Sequence, residues 1–230
     1  MFKTIYDYED FAQSTTNEDG SRVYVNASGV AYPSATTVLS VLSRDGIAKW
    51  RARVGAEEAD KISKQSSTRG TKIHTLTETY LKNENLQEAY TSTKASLLDL
   101  EMFTKFLPIL EPISNIHCQE LALYSDHLRM AGRVDCIAEY NGQRAVIDFK
   151  TSGKLKKKEH ISSYFMQTAA YAIMYEEIFG KPIEQIVILL AAEDGTVQSY
   201  TRDKKDYQDK LGTAIQDFYK HYESINKDKV

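Results

Sequence analysis

The spacing of apolar residues changes near residue 116. Upstream, apolar side chains recur every three or four positions, the helical period. Downstream they alternate, as in strands that bury one face. The upstream exception is RVYVNASGVAYPS (22–34), which reads as a hairpin with turn chemistry across Asn26–Gly29. Ser34 then N-caps a short helix through Val38, Leu39, Val41 and Leu42. A second helix is predicted from Gly46 to about Ile62. A third starts near Thr71, with a stripe of Ile73, Leu76, Thr77, Tyr80 and Leu81 on one face. A fourth runs from about Ser92 to Leu110 and stops around Pro108 and Pro112.

Beyond residue 116 the pattern predicts strands at His117–Tyr124, Met130–Tyr140 and Gln143–Lys150, the last two joined by a tight Asn141-Gly142 turn. A long helix follows over roughly 159–179, with Gly180 as its C-cap and Pro182 beyond. Ile186–Ala192 is almost wholly apolar, which predicts a strand buried on both faces. Asp194-Gly195 turns into a short strand at Thr196–Thr201, and a last helix covers about 204–222. The expected fold class is α/β: a central mixed β-sheet flanked by helices. One domain is expected over 1–230, with a mainly helical N-terminal part (1–112) and a core (113–230).

Composition narrows the class. The hydrophobic share of 42% and charged share of 27% are those of an ordinary globular protein. No apolar run approaches the roughly 20 residues that cross a bilayer, so no membrane partner is expected. The polar, acidic and aromatic start MFKTIYDYEDF reads as neither a secretory nor an organellar signal. Cys118 and Cys136 offer no zinc or iron–sulfur spacing, and a reduced, cytoplasmic setting is expected. The net charge of −3 weighs against a passive DNA-coating role. The cations are nevertheless clustered, in one knot at Lys154, Lys156, Lys157 and Lys158 and another at Arg44, Lys49, Arg51 and Arg53.

The chemistry concentrates in GRVDCIAEYNGQRAVIDFKTS (132–152). Asp148 and Lys150 share one face of a strand anchored by Ala145-Val146-Ile147, and burying such charges is costly unless something pairs with them. Asp135, on the neighbouring strand, comes within reach of Asp148. Two close carboxylates repel, and a divalent cation removes that cost. Mg²⁺ suits the site, because it takes a few carboxylates and keeps room for a phosphate. Lys150 beside a phosphodiester can orient water and stabilise charge that develops in the transition state. A bare D-x-K is common, however, and by itself reads as a salt bridge.

The wider pattern changes that balance. G-x-V-D, a hairpin, V-I-D-F-K-T-S and then Q-x-x-x-Y on a helix together resemble the PD-(D/E)XK nuclease superfamily, RecB-like branch. Gly132 and Asp135 match the G-x-x-D element, Asp148-Phe149-Lys150 the D/E-x-K element, and Gln167 and Tyr171 the Q-x-x-x-Y element. R-G-T-K-I-H (69–74) resembles the upstream element that ends in histidine. Y-P-S-A-T-T-V-L-S (32–40) followed by K-W-R resembles the layout of the mitochondrial and phage-encoded exonucleases of that branch. The P of the superfamily name is absent, Val134 standing before Asp135.

The resemblance implies a restriction-endonuclease-like core. Asp135, Asp148, the Phe149 backbone carbonyl and His74 would be metal ligands, with Glu78 and Glu120 as further candidates. Lys150 would be the catalytic lysine, joined by Gln167 and Tyr171. It implies Mg²⁺ as cofactor, with Mn²⁺ able to substitute, and no zinc, iron–sulfur cluster or nucleotide. DNA, in single-stranded form, is the expected partner, alongside other replication or recombination proteins. Lys154, Lys156, Lys157, Lys158, Arg51 and Arg69 are candidate phosphate contacts. Trp50 is a base-stacking candidate, with core packing as the plainer reading. The expected activity is exonucleolytic hydrolysis of DNA. A flap endonuclease and a catalytically silent DNA-binding module are the alternatives. No G-x-x-x-x-G-K-[ST] is present, so any motor is a separate protein.

Overall fold

Alternation downstream of residue 113 builds one five-stranded sheet. The computed structural model describes residues 1–6, 8–17, 21–154 and 161–227. The strands β4 (Ile113–Ser125), β5 (Met130–Tyr140), β6 (Gln143–Ser152), β7 (Gln185–Ala192) and β8 (Val197–Asp203) lie in the order β4-β5-β6-β7-β8. All neighbours are antiparallel except β6 and β7, which run parallel because helix α6 (Ser162–Phe179) crosses over between them. The sheet is therefore mixed, as the pattern predicted. Asn141 (φ 53) and Gly142 (φ 78) take the left-handed geometry that a two-residue hairpin turn requires. Gly180 (φ 62) caps α6.

Two apolar layers sandwich the sheet. One combines Val146, Ile186 and Ile188 with Phe165, Ala169 and Met174 of α6 and with α1 (Ala35–Leu39) and α7 (Lys205–Lys227). The other combines Ile147, Phe149, Val187 and Leu189 with Ile73 and Leu76 of α3 (Ala56–Leu81) and with Phe103 and Phe106 of α5 (Leu97–Leu110). β7 buries both faces, as its unbroken apolar run requires.

The N-terminal part departs from expectation in three places. The hairpin β2 (Arg22–Asn26) and β3 (Ala31–Pro33) gains a third strand, β1 (Ala12–Thr16), whose sequence AQSTT carries no alternation to announce it. The helix break expected between about 62 and 71 falls instead at Gly55 (φ 88), between α2 (Arg44–Val54) and α3, and α3 continues through Gly70. The helix expected from about Ser92 to Leu110 begins at Leu97 as α5, and an unexpected helix, α4 (Leu86–Thr93), precedes it. They divide at left-handed Lys94, and Ser96 and Asp99 form a capping box that starts α5. Pro108 lies inside the last turns of α5 rather than ending it. α2 buries no residue, and between Ala56 and Thr68 only Ala59 is buried, so this helical pair stands out beside the core.

Candidate active site

The site forms where two strands part. β5 and β6 pair from Tyr140↔Gln143 to Cys136↔Ile147, and the next pair would be Asp135 with Asp148. There the ladder stops, while β6 stays paired with β7 on its other edge as far as Ser152↔Ala192. The Phe149 N–H donates to Asp135 Oδ2 at 2.8 Å, so a side chain takes over where the backbone ladder ends.

The side-chain alternation slips at the same point. Cys136, Ala138 and Tyr140 pack toward α3 and α5, whereas Met130 and Val134 pack toward α6. On β4, Cys118, Leu121 and Leu123 all pack toward α6, so a slip falls at Gln119–Glu120. Glu120 carries φ 50, a left-handed backbone in the middle of a strand. The register Gln119↔Cys136 and Leu121↔Val134 sets it opposite Asp135.

Helix α3 delivers His74 to this fork. Its Nε2 lies 2.7 Å from the Phe149 carbonyl oxygen, so Nε2 carries the proton and donates. Its Nδ1 lies 3.7 Å from Asp135 Oδ2. In the neutral ring, Nδ1 presents a lone pair toward a carboxylate oxygen, an arrangement that suits a cation between them. Donor atoms of His74, Glu120 and Asp135 lie within 4.8 Å of one another, all three residues half-buried. Cations with ligand distances of about 2.0–2.6 Å can bridge such a spread.

Asp148 stands outside that group. It is 1% exposed, and the Lys150 ammonium donates to its Oδ1 at 2.7 Å. Oδ2 lies 2.6 Å from the same ammonium in ion-pair contact, but it is buried without a hydrogen-bond donor. Burial, only partly offset by Lys150 and reinforced by Asp135, pushes the Asp148 carboxyl up to about 6. Burial disfavours the Lys150 ammonium, but Asp148 and Asp135 outweigh it and hold the lysine above its usual range. At neutral pH the pair is ionic. The Tyr164 ring lies 5.2 Å from Lys150 Nζ and borders the lysine. Burial, then Asp135, then Glu78 push Glu120 up to about 7, which records crowding of negative charge at the fork.

Helix α6 closes the other side. Gln167 Nε2 donates to the Tyr171 hydroxyl at 3.2 Å, the two residues being one turn apart. The buried Tyr171 ring lies against Gly132, where a β-carbon would come within 2.8 Å of its hydroxyl oxygen. Packing contact with Tyr171 is why glycine stands three residues before Asp135.

The remaining candidates are more scattered. Glu78 accepts from Lys82 Nζ at 2.6 Å. Arg69 pairs with Glu193, and Arg51 pairs with Asp60 at 2.7 Å. Lys154 is exposed just past β6, and Lys156, Lys157 and Lys158 lie outside the described residues. Trp50 is half-buried on α2, not in the core. Sequence reasoning missed Asp10 and Arg133. Arg133 donates to the Glu120 carbonyl and pairs with Asp10 at 2.5 Å, and nothing in the sequence links Asp10 to the fork. Among the described residues, no helix is long and apolar enough to cross a membrane.

Acidic groups, a lysine and an imidazole thus gather at one strand fork of a mixed sheet. The chain belongs to the PD-(D/E)XK nuclease superfamily, whose profile matches residues 98–229. His74 and Glu78 lie ahead of that span. Human (Homo sapiens) mitochondrial genome maintenance exonuclease 1 is 28% identical over 177 residues, 71% of this chain and 50% of its own length. Its mouse (Mus musculus) counterpart is 33% identical over 91 residues, 38% of this chain and 27% of its own. The chain thus spans half, or less, of these relatives. A candidate exonuclease from Eubacterium rectale superposes with TM-score 0.46 at 10% identity, covering 70% of this chain and 69% of that one.

Proposed function

We propose that this chain is a Mg²⁺-dependent deoxyribonuclease that removes nucleotides from single-stranded DNA ends, with Mn²⁺ able to substitute. The role expected for it is in DNA replication or recombination of the phage or organellar kind. The observation that carries the reading is the convergence of His74, Glu120 and Asp135 donor atoms beside the buried Asp148–Lys150 pair. The exonuclease part rests on the names of the relatives.

The donor set fits a hard divalent cation: two carboxylates, an imidazole nitrogen facing one of them, and a crowded negative charge that a cation would relieve. His74, Glu120 and Asp135 would hold it, with Asp148 and the Phe149 carbonyl at the border of the site. When bound, the cation supplies Lewis acidity toward the scissile phosphate. Lys150, kept charged by Asp148, stabilises negative charge that accumulates on phosphate oxygens. Asp148 fixes the lysine's position. The Gln167–Tyr171 pair offers polar groups on the α6 side, where they can hold a phosphate. Lys154, and with it the lysines at 156–158, would contact flanking phosphates.

The test compares linear and covalently closed circular single-stranded DNA in Mg²⁺. Degradation of the linear strand alone supports an exonuclease. Cleavage of the circle defeats the exonuclease reading and leaves an endonuclease.

A further inference from the structure

Glu120 is held in an unfavourable backbone conformation, and two residues far apart in sequence hold it there. A non-glycine residue with φ 50 inside a strand costs free energy, and such a conformation persists only where its surroundings enforce it. Arg133, opposite Ala122 on the neighbouring strand, reaches diagonally and donates Nη1 to the Glu120 carbonyl. Its Nη2 lies 2.5 Å from Asp10 Oδ2. The other Asp10 oxygen accepts from the Ala122 N–H at 2.9 Å, and Phe11 N–H donates to the Ala122 carbonyl at 3.0 Å. The segment leading into β1 is thereby tied to the β4 edge two residues beyond Glu120. The Arg133 and Asp10 side chains are 33% and 39% exposed, and Arg133 reaches the proposed cation ligand Glu120 at its backbone carbonyl.

We propose that Asp10 and Arg133 act as positioning residues for the metal centre, a proposal that rests on the nuclease reading above. By gripping the Glu120 carbonyl, Arg133 fixes the left-handed turn that swings the Glu120 carboxylate toward Asp135 and His74. Asp10 fixes Arg133. Cation affinity thus depends on a salt bridge on the outer edge of the sheet.

The test is Mn²⁺ binding to the whole chain, titrated by electron paramagnetic resonance of the free ion. Asp10→Asn keeps an oxygen for the Ala122 N–H while turning an amide toward the guanidinium, so the segment stays paired. Asp10→Asn and Arg133→Gln should each weaken Mn²⁺ roughly 10-fold, the scale of lost outer-shell support. Adding Asp10→Asn to Glu120→Gln should cost nothing further, because both act through one carboxylate. Should Arg133→Gln fail to fold, Asp10→Asn carries the decision. Unchanged affinity in Asp10→Asn, or a fully additive loss in the double variant, overturns the proposal. Asp135→Asn is the reference. If it abolishes binding while Asp10→Asn leaves the affinity unchanged, the positioning role fails and the metal centre stands. If Asp135→Asn also binds Mn²⁺ normally, the metal centre fails and the proposal falls with it.

Discussion

Gly132 on β5 and Tyr171 on α6 are in such close contact that any β-carbon at position 132 would sit 2.8 Å from both the hydroxyl oxygen and a ring carbon of the tyrosine. The ring is buried and cannot swing away freely. Gly132→Ala should therefore destabilise the protein by about 1–3 kcal/mol, the usual range for overpacking. It should also push Tyr171 off its contact with Gln167. Thermal melts should show partial recovery in Gly132→Ala/Tyr171→Phe, which removes one of the two clashing atoms. No recovery would mean that the strain lies in the backbone of β5.

Asp135 has two separable duties. It accepts the Phe149 N–H where the ladder ends, and it faces His74 and Glu120. Asp135→Asn keeps an acceptor oxygen and should melt close to the wild type. Asp135→Ala strands a partly buried N–H and should lose about 1–3 kcal/mol. Both should lose Mn²⁺ binding. Equal stability of the two variants would detach Asp135 from the fork.

With a cation held as proposed, Glu120 would make the stabilisation it confers depend on pH. Its carboxyl is raised from 4.5 to about 7, first by burial and then by Asp135 and Glu78. A raised acid favours the folded state below its unfolded value and loses that contribution as pH climbs to its folded value. The cation-free protein therefore loses this contribution between about pH 4.5 and pH 7. A cation that neutralises the fork restores it above that window, while below about pH 7 protons compete for the same oxygen. Saturating Mn²⁺ should raise the melting temperature more at about pH 8 than at about pH 5.5. An equal rise at both pH values would place the cation elsewhere.

The core strands were legible because their alternation is regular and Asn141-Gly142 marks the turn. Asp148 and Lys150 were legible because strand geometry puts them on one face. Pairing of Asp135 with Asp148 was the natural expectation from a continuous ladder. A slip of alternation at Asp135 leaves no trace in residue spacing, and it sets Asp135 beside Glu120 and His74 while Asp148 turns to Lys150. The continuity of α3 was hidden because Gly70 resembles a helix break. In the fold, glycine there sits against Thr151, whose Oγ1 lies 3.5 Å from where its β-carbon would be. Asp10 was invisible because its role depends on a contact 123 residues away.

On the proposed reading, Lys150 beside Asp148 serves hydrolysis at a cation site rather than merely pairing a buried charge. The direct measurement is cleavage of end-labelled single-stranded DNA in Mg²⁺ by the wild type and Lys150→Ala, with Mn²⁺ binding measured on both. Cleavage should fall by roughly 10²–10³-fold in Lys150→Ala while the protein still binds Mn²⁺. Equal cleavage by the two proteins would leave Lys150 as no more than the partner of a buried carboxylate.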